Sequence, residues 1–185
     1  KLSINIKYNR NELSNFIYYT LNANSMHSDV HIRLIVSRGL KKTPYQHPNA
    51  NVGECTIVII PEYKKPNEQL QVNGLKLVTV KTRRGTPNSL DPRLNTLSKL
   101  TCITACIEAD KSGADEGLML DINGNVSTCN STNFFIIRKK QVWTSTGQYC
   151  LSGITRQAVI NILKENNISI KEKNFSITDA RTASE

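Results

Sequence analysis

The sequence predicts an α+β protein in two domains, on three observations. Helix-period stretches and β-branched runs follow one another without any repeat, a polar segment interrupts them near residue 70, and 185 residues at 38% hydrophobic can bury one good core or two modest ones. The boundary is placed near residue 70, giving a small N-terminal domain over 1–70 and a larger domain over 71–185.

The first expected element is a helix from Asn11 to Leu21, because Leu13, Phe16, Ile17 and Leu21 form an apolar stripe at helical spacing. The alternation in VHIRLIVSRG and the β-branched run CTIVIIPEY predict two strands. Between them, TPYQHPNANVG carries two prolines and a glycine and is expected to be loop. PEYKKPNEQLQVNG has almost no aliphatic content and reads as the connection between domains. Leu75 to Val80 is expected to be a strand, followed by a loop holding Pro87 and Pro92, which no central strand accommodates. A helix is expected from Asn95 to Ser112, with Leu97, Leu100, Ile103, Cys106 and Ile107 facing inward and Gly113 ending it. Gly117 to Asp121 is then a strand, Asn123-Gly124 a hairpin turn, and Phe134 to Ile137 and Val142 to Thr144 further strands. The last helix is expected over Thr155 to Glu165, with an extended segment from Ile168 to Ile170.

Composition narrows the function classes. No stretch approaches the roughly 18 apolar residues of a membrane span, and the N-terminus lacks the apolar core of a secretory signal, so a cytoplasmic location is expected. Cys55, Cys102, Cys106, Cys129 and Cys150 form no C-x-x-C pair and read as buried reduced thiols. The net charge of +9 is spread over short clusters, Arg38 to Lys42, Lys81 to Arg84 and Arg138 to Lys140, with no nucleic-acid-binding signature. The histidines have no metal spacing, and no Ser-His-Asp or P-loop pattern is present, so neither a metal nor a nucleic-acid partner is expected.

Residues 91–109, DPRLNTLSKLTCITACIEA, with GADEGLMLD, GNVSTCNSTNFF and LSGITR, resemble the large domain of the class IV, fold-type IV pyridoxal-phosphate-dependent aminotransferases. That family contains the branched-chain and D-amino-acid transaminases. The resemblance implies a D-amino-acid-aminotransferase-like fold, with further small-domain elements preceding Lys1 and a closing strand following Glu185. It also implies a homodimer that moves an amino group between an amino acid and a 2-oxo acid.

The cofactor constellation follows from the same resemblance, position by position. The family's cofactor lysine lies thirteen residues before the glutamate of an A-x-x-E-A segment, and counting back from Glu108 reaches Asn95. An amide has no useful basicity and is not nucleophilic, so Asn95 cannot act as that lysine. Lys99, four residues on, is a possible substitute, and Lys81 and Lys111 are weaker ones. The glutamate that meets the pyridine nitrogen in the family's G-x-V-x-E-G-x-x-x-N pattern is Thr128 here, while Asn133 matches the asparagine.

Gly153, Ile154, Thr155 and Arg156 form the G-I-T-R turn on which the phosphate is expected. A glycine admits an anion close to the backbone, and the first turn of a helix offers unpaired N–H groups; a plain helix start is the alternative. Arg83 or Arg84 is a candidate for the substrate carboxylate, with surface charge the other reading, and Tyr45 and His47 lie in a small-domain loop. Full-speed transamination is not expected, so a pseudoenzyme that keeps the fold for ligand binding or subunit pairing is the alternative function.

Overall fold

The computed structural model describes residues 2–185 and divides the chain into two compact units, Lys1–Glu68 and Gln69–Glu185. In the first, helix α1 (Arg10–Ala23) begins at Asn9, whose side chain accepts from the Asn11 and Glu12 amides while Glu12 Oε2 accepts from the Asn9 amide at 2.8 Å. This reciprocal cap satisfies donors that a helix start otherwise leaves open. Strand β1 (Val30–Ser37) pairs antiparallel with β4 (Thr56–Tyr63), with Leu34 opposite Ile59, and α1 packs on β4.

Two expectations are corrected here. The loop after β1 contains strands β2 (Leu40–Lys41) and β3 (Asn51–Val52), paired antiparallel, and a short 3-10 turn over Pro48–Ala50. That turn is started by His47 Nδ1 accepting from the Asn49 amide, a bond no hydrophobic pattern signals. The connecting segment contains helix α2 (Glu68–Asn73), whose polar residues carry no apolar stripe.

In the second unit, β6 (Glu116–Leu120) is the central strand of its sheet. It pairs parallel with β5 (Leu77–Thr79) and antiparallel with β7 (Val126–Cys129), the latter through the turn at Gly124, whose φ of +83° suits glycine. All five residues of β6 are buried. Leu118 and Leu120 face a cluster with Val126, Cys129, Ile136 and Phe175, while Met119 joins Val80, Ala105 and Ala109. A second sheet has β9 (Gln141–Thr144) between β8 (Phe135–Arg138), antiparallel, and β10 (Ile170–Glu172), parallel. Helix α4 (Ile154–Glu165) and a short helix α5 (Ile177–Arg181), which the sequence did not signal, complete the unit.

Helix α3 covers Leu100–Lys111, five residues later in its start than expected, and its orientation is also corrected. Its buried residues are Ala105 and Ala109, whereas Leu97, Leu100, Ile103, Cys106 and Ile107 are exposed. The reason is close approach to β6. A Cβ on Gly117 would lie 2.9 Å from the Ala105 carbonyl oxygen, so only small residues fit the contact. The five cysteines are free, but only Cys129 and Cys150 are buried; Cys106 is exposed and Cys55 and Cys102 are half-buried, which corrects the reading of buried thiols throughout.

Candidate active site

The candidate site is built on the loop between β5 and α3, the loop after β7, and the segment entering α4. The first of these is tied to α3 by Glu108, whose carboxylate accepts from the Lys81 amide at 2.7 Å, the Thr82 amide at 3.2 Å and the Thr82 hydroxyl. The Thr82 hydroxyl, then the Lys81 amide, hold the Glu108 carboxyl below its usual range. Further along, Asp91 Oδ1 accepts from the Arg93 amide at 3.0 Å and both carboxylate oxygens meet the Arg93 guanidinium, at 2.8 and 2.9 Å. The irregular backbone continues past this turn: the Thr96 amide donates to the Leu94 carbonyl at 3.1 Å, a tight reversal about Asn95 that a helix does not contain, so α3 starts late.

Arg84, Asn95, Lys99, Thr128 and Asn133 line one cleft of about 580 Å³, together with Asp91, Cys102 and Leu151. That volume suits a small-molecule ligand. Lys99 Nζ donates to Asn95 Oδ1 at 2.8 Å, although the two residues are not on one helical turn as the sequence suggested. Lys99 is instead the N-cap of α3, and Asn95 lies in the irregular segment before it.

Three of the five Arg84 N–H donors are engaged by the protein itself. Its Nε donates to the Tyr149 carbonyl at 3.1 Å, Nη1 to Cys102 Sγ at 2.9 Å and Nη2 to the Pro92 carbonyl at 3.4 Å. The guanidinium therefore ties three segments of the wall together, with one N–H on each of Nη1 and Nη2 beyond those bonds. Tyr45 and His47 pack on each other within the first unit, with ring centroids 6.2 Å apart.

Thr128 is buried, and its hydroxyl donates to the Thr132 carbonyl at 2.6 Å, so it presents lone pairs rather than a proton. Beneath this loop the buried Glu116 accepts from the Ser131 hydroxyl and, at 2.6 Å, from the Thr132 hydroxyl. Sequence reasoning missed Glu116, because a carboxylate at the start of a strand reads as solvated; its burial depends on hydroxyls fifteen and sixteen residues away. Burial, reinforced by Glu116, pushes the Cys129 thiol up to about 12, which excludes it as a nucleophile at neutral pH.

The turn before α4 is coupled to this loop. Asn133 Nδ2 donates to the Leu151 carbonyl at 3.2 Å, and a Cβ on Gly153 would lie 2.6 Å from Asn133 Oδ1. Gly153 caps α4 with no side-chain hydrogen bond, and its own amide is used by the Leu151 carbonyl at 2.9 Å. The first-turn amides of Ile154, Thr155 and Arg156 remain those a helix start cannot pair within itself. Gly153, Ile154 and Thr155 are not part of the cleft lining, which reaches them through Leu151 and Asn133. Arg156 points into the protein: it is buried, and its Nη2 donates to the Ser145 carbonyl at 2.7 Å and to Glu172 Oε2 at 2.8 Å.

Comparison with known proteins now bears on this geometry. The family described as Amino-transferase class IV matches residues 1–185. The chain belongs to the class IV aminotransferases. It is 37% identical over 184 residues to the branched-chain-amino-acid aminotransferase-like protein 2 of Arabidopsis thaliana, covering all of this chain and 33% of that protein. A branched-chain aminotransferase from Thermoproteus uzoniensis, solved with norvaline, superposes with a TM-score of 0.86 at 26% identity, over 98% of this chain and 60% of that one. An aminotransferase from Brucella abortus bound to the co-factor PLP matches with a TM-score of 0.80 at 22% identity, over 98% and 64%. The chain thus spans between a third and two thirds of the length of these relatives. The α+β fold is that of class IV aminotransferases. No helix among the described residues is long and apolar enough to cross a membrane.

The class IV family carries pyridoxal phosphate, and the residues present fit part of that group. Gly153 admits the close approach of Asn133 Oδ1, and the start of the twelve-residue α4 has no side-chain cap, so its first-turn amides suit a phosphate. To the cleft, Thr128 offers a lone-pair acceptor and Asn95 a side-chain amide.

Proposed function

We propose that this chain holds pyridoxal phosphate and takes part in transferring an amino group between a small amino acid, of branched-chain or D-amino-acid type, and a 2-oxo acid. The observation that carries the proposal is the coupling, through Asn133, of the α4 turn to a cleft lined by Asn95, Lys99 and Thr128. In this reading the amides of Ile154 and Thr155, with Gly153, bind the phosphate at the positive end of α4. Asn133 keeps that turn and the 128–133 loop at a fixed spacing. Thr128 Oγ1 accepts from a ring N–H without compensating its charge. The cofactor supplies an electron sink and an amino-group carrier. A neutral hydroxyl supports that sink less than a carboxylate does, and Asn95 holds no transferable proton of suitable acidity, so turnover is slow; a lost general base alone costs about 10²- to 10⁴-fold.

The test is a visible absorbance titration of the protein with pyridoxal phosphate, followed by addition of a branched-chain or D-amino acid and assay of the 2-oxo acid released. Saturable binding and stoichiometric oxo-acid release support the proposal, and absence of a spectral change removes it. The joint replacement at Asn95 and Thr128 favours a second reading, a pseudoenzyme that binds the cofactor and releases no oxo acid. The proposal extends to a homodimer working in the cytoplasm, which sedimentation and localisation of the full-length protein test. A nucleic-acid partner is not part of the proposal; salt-sensitive binding to nucleic acid would speak against it.

A further inference from the structure

We propose that Lys99 supplies the amine that position 95 lacks, forming the covalent link to an aromatic aldehyde phosphate bound in the cleft. This rests on the cofactor reading above. Lys99 is the one lysine among the described residues lining the cleft. Its Nζ is held 2.8 Å from Asn95 Oδ1, so an amine already stands beside the side chain at the position where spacing from Glu108 puts the family's lysine.

Local structure allows this. If the helix began at Asn95, Lys99 would be confined to the second turn. With the Thr96 amide bonded to the Leu94 carbonyl and the helix starting at Leu100, Lys99 is the N-cap, and its stem returns over the irregular segment to Asn95. The partner is a neutral amide rather than a carboxylate, so releasing the amine breaks one hydrogen bond and no strong ion pair. Asn95 Oδ1 accepts an N–H of Nζ, which leaves the lone pair of the deprotonated amine unengaged. Asn95 is thereby a positioning residue. Arg84, the other cation of the cleft, is held by three bonds to the wall and is no nucleophile.

The step balances without an oxidant or reductant. Nζ, having lost a proton to solvent, adds to the aldehyde carbon; the carbonyl oxygen leaves as one water and a C=N bond remains. Added borohydride delivers hydride to that carbon and solvent a proton to the nitrogen, leaving a secondary amine that survives digestion.

The experiment uses the full chain with pyridoxal phosphate, borohydride reduction, and peptide mass spectrometry alongside the absorbance titration. The expected result is one adduct per chain, saturable, displaced by inorganic phosphate and located on Lys99. Lys99→Arg, at an exposed position, should keep its circular dichroism spectrum and its phosphate-competed binding while losing the adduct. Asn95→Lys should move the adduct to residue 95, and an adduct remaining on Lys99 would overturn the claim that the two positions serve one role. Phosphate-competed binding with no adduct, or with label scattered over other lysines, overturns the role of Lys99 and leaves the cofactor reading standing. No binding at all overturns both.

Discussion

The cleft is backed by a floor of paired strands, Glu116–Leu120 and Val126–Cys129, whose Thr128 and Cys129 line it and in which every residue is buried, and it has a rim, residues 91–99, held by short-range polar bonds over mostly exposed side chains. In the floor a substitution must satisfy neighbours on both sides of the sheet, so residue identity is dictated by packing and by buried hydrogen bonds. In the rim the exposed Asn95 side chain meets the Lys99 ammonium and no packed core. Chemistry can therefore change at the rim while the family's architecture persists.

The sharpest way to break this comparison is Gly117→Val. The first added carbon would lie 2.7 Å from Val80 Cγ1 and 2.9 Å from the Ala105 carbonyl, so a loss of about 2–3 kcal/mol is expected, read as a lower urea midpoint. An unchanged midpoint would mean that α3 and β6 are not closely packed. Glu116→Ala should come next, because it leaves the Ser131 and Thr132 hydroxyls without their charged acceptor, at a cost of about 1.5–3 kcal/mol. Thermal unfolding reads this, with the loop around Thr128 exchanging its amides faster.

Gly153→Ala tests the joint between floor and helix. Its Cβ would displace Asn133 Oδ1, so phosphate-competed binding of pyridoxal phosphate should weaken severalfold, and Asn133→Ala in the same chain should recover part of the loss. Additive losses in calorimetry would argue against the contact. Glu108 gives a smaller effect with a defined pH sign. Its folded carboxyl titrates below the ordinary value of 4.5, so its contribution is complete above that pH and lost as the pH falls through the folded value. Glu108→Gln should therefore narrow the gap between neutral and acidic stability. The smallest effect belongs to the rim: Asn95→Ala should alter stability by no more than about 0.5 kcal/mol, and a larger change would show that the rim is part of the packed structure.

The same contrast explains what was legible in the sequence. Elements whose signal is periodicity or a turn dipeptide, α1, β1, β4, β6 and the Asn123-Gly124 hairpin, stand where the pattern puts them. The start of α3 did not, because the Thr96 amide bonds locally to the Leu94 carbonyl, and hydrophobic spacing carries no record of that bond. Its buried face was misread for a related reason: leucine and isoleucine mark burial only where there is room, and Ala105 and Ala109 win against a glycine-bearing strand. At the site, Asn95, Lys99, Thr128 and Asn133 could be picked out through the family resemblance, and the structure brings them to one cleft. That the Arg84 guanidinium also bonds the Tyr149 and Pro92 carbonyls and the Cys102 sulfur could not, since those partners lie up to 65 residues away.

The approach of Asn133 Oδ1 to Gly153 has a consequence for how such sequences can drift. A side chain at 153 becomes admissible only after 133 has shrunk, and a smaller residue at 133 gives up the bond to the Leu151 carbonyl that shapes the turn. Neither position has a neutral first step. Lineages descending from this chain should change the two sites as a pair or leave both untouched.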